Sequence, residues 1–271
     1  MDNETLRKLQ LVELEIANEI KRVCVENNIK YFLESGTLLG AVRHGGFIPW
    51  DDDMDIGMMR EEYEKFLKIA PEKLSSKFIL QTWKNERDYS LTFAKVRKLD
   101  TIFLEYEFKY SSMHNGIWVD IFPYDSVPEK KILLNLNQFE RHIYCAAMSM
   151  KCNIKPWKLL GSKWKSFKHE LKHIPLIPIV KLYSKEKLIN KYECVMKRYN
   201  NLNTQNISSP SGKWIVPRKC GEELSEMMFE GIMFSVPADS DLYLKSVYGD
   251  YMTLPPKDKQ VSNHNIIKIK L

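Results

Sequence analysis

Apolar residues near the start of the chain recur at intervals of three and four, the spacing of an amphipathic helix. They predict a helix over roughly residues 4–27, with these apolar positions: Leu9, Val12, Ile16, Ile20 and Val23. Asn27 and Asn28 provide a stop, and the run IKYFLESG that follows has the composition of a short strand. The run TLLGAVRHGG then predicts a short helix that ends at Gly45 and Gly46.

The rest of the first half alternates strand-like and helical runs. DMDIGMM reads as a strand and EEYEKFLKI, residues 61–69, as a helix. Three more β-like runs follow: FILQTW at 78–83, LTFAKVR at 91–97 and IWVDIF at 117–122. After Asp125 the pattern becomes helical and rich in lysine, and the loop NTQNISSPSG at 203–212 introduces the last segment.

These patterns predict an α+β fold in one domain over residues 1–271, with a small sheet in the first half and mostly helices after it. We expect three parts: a core at 1–125, a lysine-rich helical segment at 126–202, and a C-terminal segment at 203–271 that packs on the core.

Composition is that of a globular protein, with 44% hydrophobic and 28% charged residues in 271. No signal peptide and no apolar run long enough to span a membrane is visible, so we expect a cytoplasmic protein. The five cysteines are scattered without CxxC or zinc spacing, which argues against disulfides and a zinc site.

The net charge of +6 is unevenly distributed. Residues 151–191 hold 11 lysines and two glutamates, a charge of +9, which leaves −3 for the remainder. The lysines alternate with large apolar residues: Trp157, Leu159, Leu160, Trp164, Phe167 and Leu171. This composition is typical of a helix that rests on an anionic membrane surface, although a solvated helix face has it too. Nucleic-acid binding would show the same charge, but we expect the membrane as partner and no nucleic acid.

The stretch GGFIPWDDDMDIGM, residues 45–58, gathers four aspartates within five positions. An EF-hand loop counted from Asp51 fails at its sixth position, where glycine is required and Ile56 stands. In a strand, Asp53 and Asp55 would instead share one face while Met54 and Ile56 point into a core.

Two such carboxylates form a hard oxygen site that suits Mg²⁺ bound together with phosphate groups. Asp120 is a third candidate, because it lies within the otherwise apolar strand IWVDIF, an unfavourable place for an unpaired charge. A solvated acidic turn would explain Asp51 and Asp52, but not the other three. The sequence therefore predicts a metal site on Asp53, Asp55 and Asp120.

Upstream, ESGTLLG has the form of a strand, small residues and a helix start. Ser35, Gly36 and Thr37 offer hydroxyls and backbone N–H groups to a phosphate at a helix N-terminus. The same residues also suit an ordinary helix cap, and no Walker A lysine follows them.

Four blocks of the chain together resemble the LicD family of phosphocholine transferases: YFLESGTLLGAVRHGGFIPWDDDMDIGM, FAKVRKLDT, WVDIFPYD and the terminal VPADSDLYLKSVYGDYMTLPP. The family is assigned to the nucleotidyltransferase superfamily. Its motif corresponds to Gly36-Thr37, then Asp53 and Asp55, then Asp120. The resemblance implies a small mixed sheet flanked by helices, with an irregular loop before the metal-binding strand.

The resemblance also implies transfer of phosphocholine from CDP-choline to a sugar hydroxyl of a cell-surface glycan, such as a teichoic acid, lipopolysaccharide or capsule precursor, with release of CMP. A lipid-linked acceptor would explain docking at the inner face of the plasma membrane. Other CDP-linked donors carrying ethanolamine, polyol or sugar phosphates suit the same chemistry, as does nucleotidyl transfer that releases pyrophosphate. A catalytically silent binding protein is a further alternative, against which the retained carboxylates argue.

Within that activity, Mg²⁺ or Mn²⁺ would lie on Asp53 and Asp55, and Asp120 would be a third ligand or the general base. Arg43, Lys95 and Arg97 would hold phosphate oxygens, the last two sharing one strand face. A solvated strand face is the alternative for Lys95 and Arg97.

Other residues near these blocks have expected supporting roles. We expect Asp51 and Asp52 to orient the metal ligands or their loop, and His44 and His264 to make structural hydrogen bonds. A choline group requires aromatic faces, and six aromatic residues near the motifs are candidates among which the sequence does not select: Trp50, Trp83, Tyr89, Tyr106, Trp118 and Tyr124.

Overall fold

A computed structural model describes residues 1–152, 154, 173–212, 214–262 and 264–271. Its architecture is α+β, as predicted: a mixed sheet flanked by helices. Most of the lysine-rich run, from residue 155 to 172, lies outside the described residues, so the expected interfacial helix stays a prediction.

The central sheet holds seven of the described strands. Five run in the order β1 (Phe32–Leu33), β2 (Asp55–Met59), β6 (Trp118–Ser126), β4 (Ala94–Lys98), β3 (Phe78–Gln81), and β7 (Asn206–Ser208) and β8 (Ile215–Pro217) extend from β6. β2 and β6 are parallel, and the other pairs are antiparallel. Two ribbons complete the strands: β9 (Leu224–Phe229) with β10 (Ile232–Pro237), and β5 (Ile102–Glu105) with β11 (Ile266–Lys270).

The first helix, α1 (Asn3–Glu26), matches the predicted helix within one residue at each end. Asp2 caps it by accepting a hydrogen bond of 2.8 Å from the backbone N–H of Thr5. Its apolar stripe is buried against the sheet, with Leu9, Ile16 and Ile20 fully inaccessible to solvent.

Seven further helices surround the sheet in the described part of the chain: α2 (Ser35–His44), α3 (Arg60–Lys73), α4 (Lys131–Lys151), α5 (Ile177–Leu182), α6 (Lys185–Lys197), α7 (Lys219–Glu222) and α8 (Ser240–Tyr248). α4 packs along α6, and α8 packs against both α2 and β8. None of the described helices combines the length and the apolar composition that a membrane crossing requires.

The register of the two parallel strands determines where the acidic residues meet. Asp55 is the partner of Asp120, and the backbone N–H of Asp120 also donates to the carbonyl of Met54 at 3.0 Å. Paired residues of neighbouring strands project to the same face of a sheet. The fold therefore brings together two aspartates that are 65 positions apart in sequence.

A buried ion network fixes α3 and α6 to the other end of β6. The Arg60 guanidinium donates to Asp125 through Nε, at 2.8 Å, and through Nη2, and it donates to Glu193 at 2.8 Å through Nη1. The side chain of Asp125 is fully buried and also accepts a hydrogen bond from Asn200. These contacts satisfy a charge that would otherwise be costly to bury.

We expect Asp125→Ala to lower the free energy of unfolding by about 3–5 kcal/mol, because it leaves the Arg60 charge buried without its main partner. Urea unfolding of the metal-free protein measures the change. Glu4→Ala, which removes a solvent-exposed ion pair with Lys8, is the control and should leave stability essentially unchanged. A loss below about 1 kcal/mol for Asp125→Ala would contradict the role given to this network.

Candidate active site

Asp53, Asp55 and Asp120 lie near the start of β2, although Asp53, which the period-two pattern predicted within that strand, precedes it. Asp55 is the first residue of β2 and faces Asp120 across the parallel pair, while Asp53 lies two residues earlier in an irregular segment. Burial raises the pKa of Asp55 well above its usual range, and the charges of Asp53, Glu34 and Asp120 raise it further. The register of β2 and β6 makes Asp55 and Asp120 direct cross-strand neighbours.

Asp51 and Asp52 belong to the same cluster. One carboxylate oxygen from each of Asp51, Asp52 and Asp53 lies within 4.8 Å of the others. Burial, together with the charges of Asp53 and Asp52, raises the pKa of Asp51 to about 8. Carboxylate oxygens are the donors that Mg²⁺ or Mn²⁺ binds, so the chemistry of the cluster fits such an ion. The three residues whose oxygens lie this close are Asp51, Asp52 and Asp53, whereas the predicted ligand set of Asp53, Asp55 and Asp120 stays a prediction.

Two further carboxylates of this region, Glu13 and Glu34, were not predicted from the sequence. They are 2% and 3% exposed, and Oε2 of each has no hydrogen-bond partner among the described residues. Burial raises the pKa of Glu13 strongly, with the charges of Asp53 and Asp52 adding to it. The sequence contains an indication of a buried Glu13, because this residue lies within the apolar stripe of α1, between Leu9 and Ile16.

Positive charge near the cluster comes from Lys95 and His264. Lys95 Nζ lies 2.6 Å from an Asp120 carboxylate oxygen, and His264 Nδ1 lies 3.1 Å from Asp52 Oδ1. Burial alone would lower the pKa of His264, but the hydrogen bond with Asp52 and the charges of Asp53 and Asp52 raise it to about 9. The hydrogen bond expected of His264 is thus present, and Asp52 is its partner.

The cluster as described carries more negative than positive charge. Seven carboxyl groups contribute to it: Glu13, Glu34, Asp51, Asp52, Asp53, Asp55 and Asp120. Against them stand Lys95 and His264. Such an excess in a buried region must be reduced by protonation or by bound cations.

The N-terminus of α2 approaches the cluster closely. A Cβ at Gly36 would lie 2.9 Å from Asp51 Oδ2, so glycine is required for the carboxylate to sit there. Ser35 has a φ of +46°, a left-handed conformation that is strained for serine and typical of functional loops. Ser35 and Gly36 both line the cavity described below, and phosphate binding by this helix start stays a prediction.

Thr37 has a different position from its two neighbours. Its Oγ1 accepts a hydrogen bond of 2.8 Å from the backbone N–H of Asp55, and it is absent from the described cavity lining. We therefore assign Thr37 to positioning the first residue of β2.

A cavity of about 530 Å³ opens beside the cluster and suits a nucleotide-sized ligand. Its polar lining includes Glu34, Asp51, Asp53, Asp55 and Asp250. Arg43 contributes the one cationic side chain among the described lining residues. Its Nη1 donates to the carbonyl of Tyr251 at 2.6 Å, whereas its buried Nε has no hydrogen-bond partner among those residues. Arg43 thus lies in the cavity wall, and its role as a phosphate ligand stays a prediction.

Lys95 and Arg97 are buried, at 3% and 1% exposure, so the alternative of a solvated strand face is wrong. Arg97 donates to the side-chain oxygen of Gln81 and to the carbonyl of Gly116, and it stacks on the Trp118 ring. These contacts occupy its guanidinium in the core. Arg97 therefore has a structural role in the core and does not bind substrate. Lys95 is the partner of Asp120.

The aromatic lining comes mainly from residues that the sequence did not single out. Of the six candidates, Trp50 lines the cavity, and four other aromatic residues join it there: Phe122, Trp214, Tyr248 and Tyr251. The last three belong to the C-terminal part of the chain, far in sequence from the acidic motif.

Comparison with known proteins identifies relatives of the whole chain. Residues 28–158 match the LicD/FKTN/FKRP nucleotidyltransferase domain. The lipopolysaccharide cholinephosphotransferase LicD of Haemophilus influenzae is 32% identical over 271 residues, which covers 97% of each chain.

Two shorter similarities accompany these matches. An uncharacterised protein of Rickettsia typhi is 52% identical over 58 residues, which cover 21% of this chain and 19% of that protein. Human ribitol 5-phosphate transferase FKRP is 46% identical over 48 residues, which cover 18% of this chain and 10% of that protein.

Because of the acidic cluster, we expect a rise in pH to lower the stability of the protein and divalent cations to raise it. Asp51 and Glu34 have pKa values of about 8 when folded, so the folded protein retains protons that the unfolded chain has released. Metal-free protein should therefore lose stability as the pH rises from about 5 to 8. Millimolar Mg²⁺ should raise the Tm, and most strongly near pH 8, in thermal scans.

Asp55→Asn should raise the metal-free Tm at pH 8, because it removes repulsion, and should reduce the stabilisation by Mg²⁺. Asp258→Asn, at an exposed position outside the cluster, is the matched control and should keep the wild-type response. A Tm that does not respond to Mg²⁺ or Mn²⁺ at pH 8 would rule out the metal site.

Proposed function

Since the chain belongs to the LicD family and its relatives are transferases of substituted phosphate groups, we propose that it transfers phosphocholine from CDP-choline to a sugar hydroxyl of a cell-surface glycan precursor, releasing CMP. The observation that carries this proposal is the buried excess of carboxylates at the wall of a nucleotide-sized cavity, beside a helix N-terminus and Arg43. The similarity to a cholinephosphotransferase over nearly the full length of both chains supports the choice of donor.

Asp53, Asp55 and Asp120 are the residues that would hold Mg²⁺ or Mn²⁺. When bound, the ion supplies positive charge that neutralises the diphosphate and the departing CMP. Arg43 lines the cavity and offers its guanidinium to phosphate oxygens, and the backbone N–H groups at the start of α2 offer further donors.

The chemical step is displacement at the phosphorus that carries choline. The acceptor oxygen forms a bond to this phosphorus while the bond to the CMP oxygen breaks, and the hydroxyl proton must go to a base. We assign that role to Asp120, which is the β6 partner of Asp55 and lies beside Lys95. Its alternative role is that of a metal ligand only.

Two other reactions fit the same groups. FKRP, which resembles a short part of this chain, is a ribitol 5-phosphate transferase, so another CDP-linked substituted phosphate is one alternative donor. Transfer of the nucleotide itself, with release of pyrophosphate, is the other. The products distinguish these reactions.

Membrane docking is part of the proposal. The first half of α4 presents large apolar side chains to solvent, with exposures of 76% for Ile132, 52% for Leu136 and 62% for Phe139. Their spacing of three and four places them on one helix face. Together with the lysines of residues 151–191, this face supports attachment to the anionic inner face of the plasma membrane, where a lipid-linked glycan would be presented.

Incubation with Mg²⁺, a lipid-linked glycan acceptor and a panel of CDP-linked donors tests the reaction. We expect CMP release with CDP-choline, and we expect Asp53→Asn to reduce it by more than about 100-fold, because a proposed metal ligand is lost. Asp258→Asn should retain wild-type turnover, and circular dichroism checks that both variants fold. Near-normal turnover of Asp53→Asn would refute the metal assignment, and pyrophosphate release would favour nucleotidyl transfer.

Sedimentation with vesicles tests docking. The protein should pellet with vesicles that contain phosphatidylglycerol, and pelleting should fall at 1 M salt because the attraction is partly electrostatic. The double change Leu136→Ser and Phe139→Ser should weaken pelleting several-fold, whereas Val25→Ser, at another exposed apolar position, should not. Equal pelleting with neutral vesicles, or none with either, would reject docking on an anionic membrane.

A further inference from the structure

The cavity beside the acidic cluster combines two features that a cationic ligand favours. Glu34, Asp51, Asp53, Asp55 and Asp250 line it, whereas Arg43 is the single described lining residue with positive charge. Aromatic rings form much of the remaining wall. A negative field and aromatic faces both attract cations, and neither favours an uncharged polyol.

One aromatic pair stands out by its geometry. The rings of Trp214 and Tyr248 have centroids 5.9 Å apart and are tilted by 47°, so they pack against each other, and both line the cavity. Trp214 directly precedes β8 and Tyr248 ends α8, two elements that pack against each other. Asp250 follows after Gly249, whose φ of +69° reverses the chain at this point. The pair is thus held by regular structure and accompanied by a carboxylate.

The pair also lies next to the carboxylates proposed to carry the metal. Both residues line the same cavity as Asp53 and Asp55. A group bound against the rings would therefore share this cavity of about 530 Å³ with the carboxylates proposed to hold the metal.

We propose that Trp214, Tyr248 and Asp250 form the subsite for the donor's headgroup, and that this subsite selects a quaternary ammonium group. The inference rests on the proposed function and assigns the residues that recognise the transferred group. A trimethylammonium group is weakly hydrated and packs its methyl groups on aromatic faces. A primary ammonium is compact and strongly hydrated, so it loses more hydration free energy when it leaves water for such a surface. Ribitol has no charge to place there.

Cytosine is the competing occupant of the pair, because bases also stack on aromatic side chains. Asp250, which lines the cavity with the pair, favours the headgroup instead, because a carboxylate attracts the choline cation and not the uncharged base.

Calorimetric titration in Mg²⁺ without acceptor tests the subsite through binding alone. Trp214→Leu should weaken CDP-choline about tenfold while leaving CMP and CDP-ribitol within about twofold of wild type. Trp214→Phe should recover most of the loss, because it restores an aromatic face. Tyr110→Leu, which removes an 87% exposed aromatic residue outside the cavity lining, is the control and should bind CDP-choline normally.

Two results would overturn the inference. If Trp214→Leu weakened the binding of CMP and CDP-choline equally, the pair would be a stacking site for cytosine. If the affinity for both were unchanged, the pair would not contact the donor. The transfer assay separates this failure from failure of the proposed function. Wild-type protein that releases CMP equally well from CDP-ribitol and CDP-choline would remain a phosphotransferase but would lack the headgroup selectivity. Wild-type protein that releases no CMP from any donor, yet binds CDP-choline through Trp214, would retain the subsite and lose the proposed function.

Discussion

The repulsion among buried carboxylates at the start of β2 is the constraint on which the rest of this structure depends. Gln10 on α1 holds the loop by donating to the carbonyl of Asp51 at 2.9 Å. Thr37 holds the backbone of Asp55, and His264 holds Asp52. The first two contacts fix the backbone of an acidic residue, and the third fixes a carboxylate directly. A hydrophobic sheet on one side and three separate tethers on the other keep these charges in place.

Buried like charges lower stability, and in the proposed function they would bind a cation and a phosphate group without first reorganising. At the other end of the sheet, by contrast, the buried carboxylates of Asp125 and Glu193 are both paired with Arg60. The two ends of one sheet therefore differ, since one pairs its carboxylates with a cation and the other holds a large excess of carboxyl groups.

Local periodicity predicted the parts of the site that are close in sequence. Alternation along DMDIG identified Asp53 and Asp55, and an acidic residue within an apolar strand identified Asp120. It could not place Trp214, Tyr248 or His264 at the cavity or its acidic cluster, because long-range packing brings them there. The sequence reasoning also assigned no strands beyond residue 202, where β7 to β11 lie. These strands are short or form two-stranded ribbons whose pattern is weak without their partners.

The hydrogen bond between Asp52 and His264 spans 212 positions of the sequence. The strand that follows His264, β11, likewise pairs with the distant strand β5. Contacts of such sequence separation form late, because a long loop must close before they can be made. During synthesis the acidic loop leaves the ribosome long before its histidine partner and the rings that line its cavity. The acidic cluster and its cavity are therefore completed only after residue 264 has been synthesised, and a nascent chain that already holds the aspartates lacks part of the cavity wall.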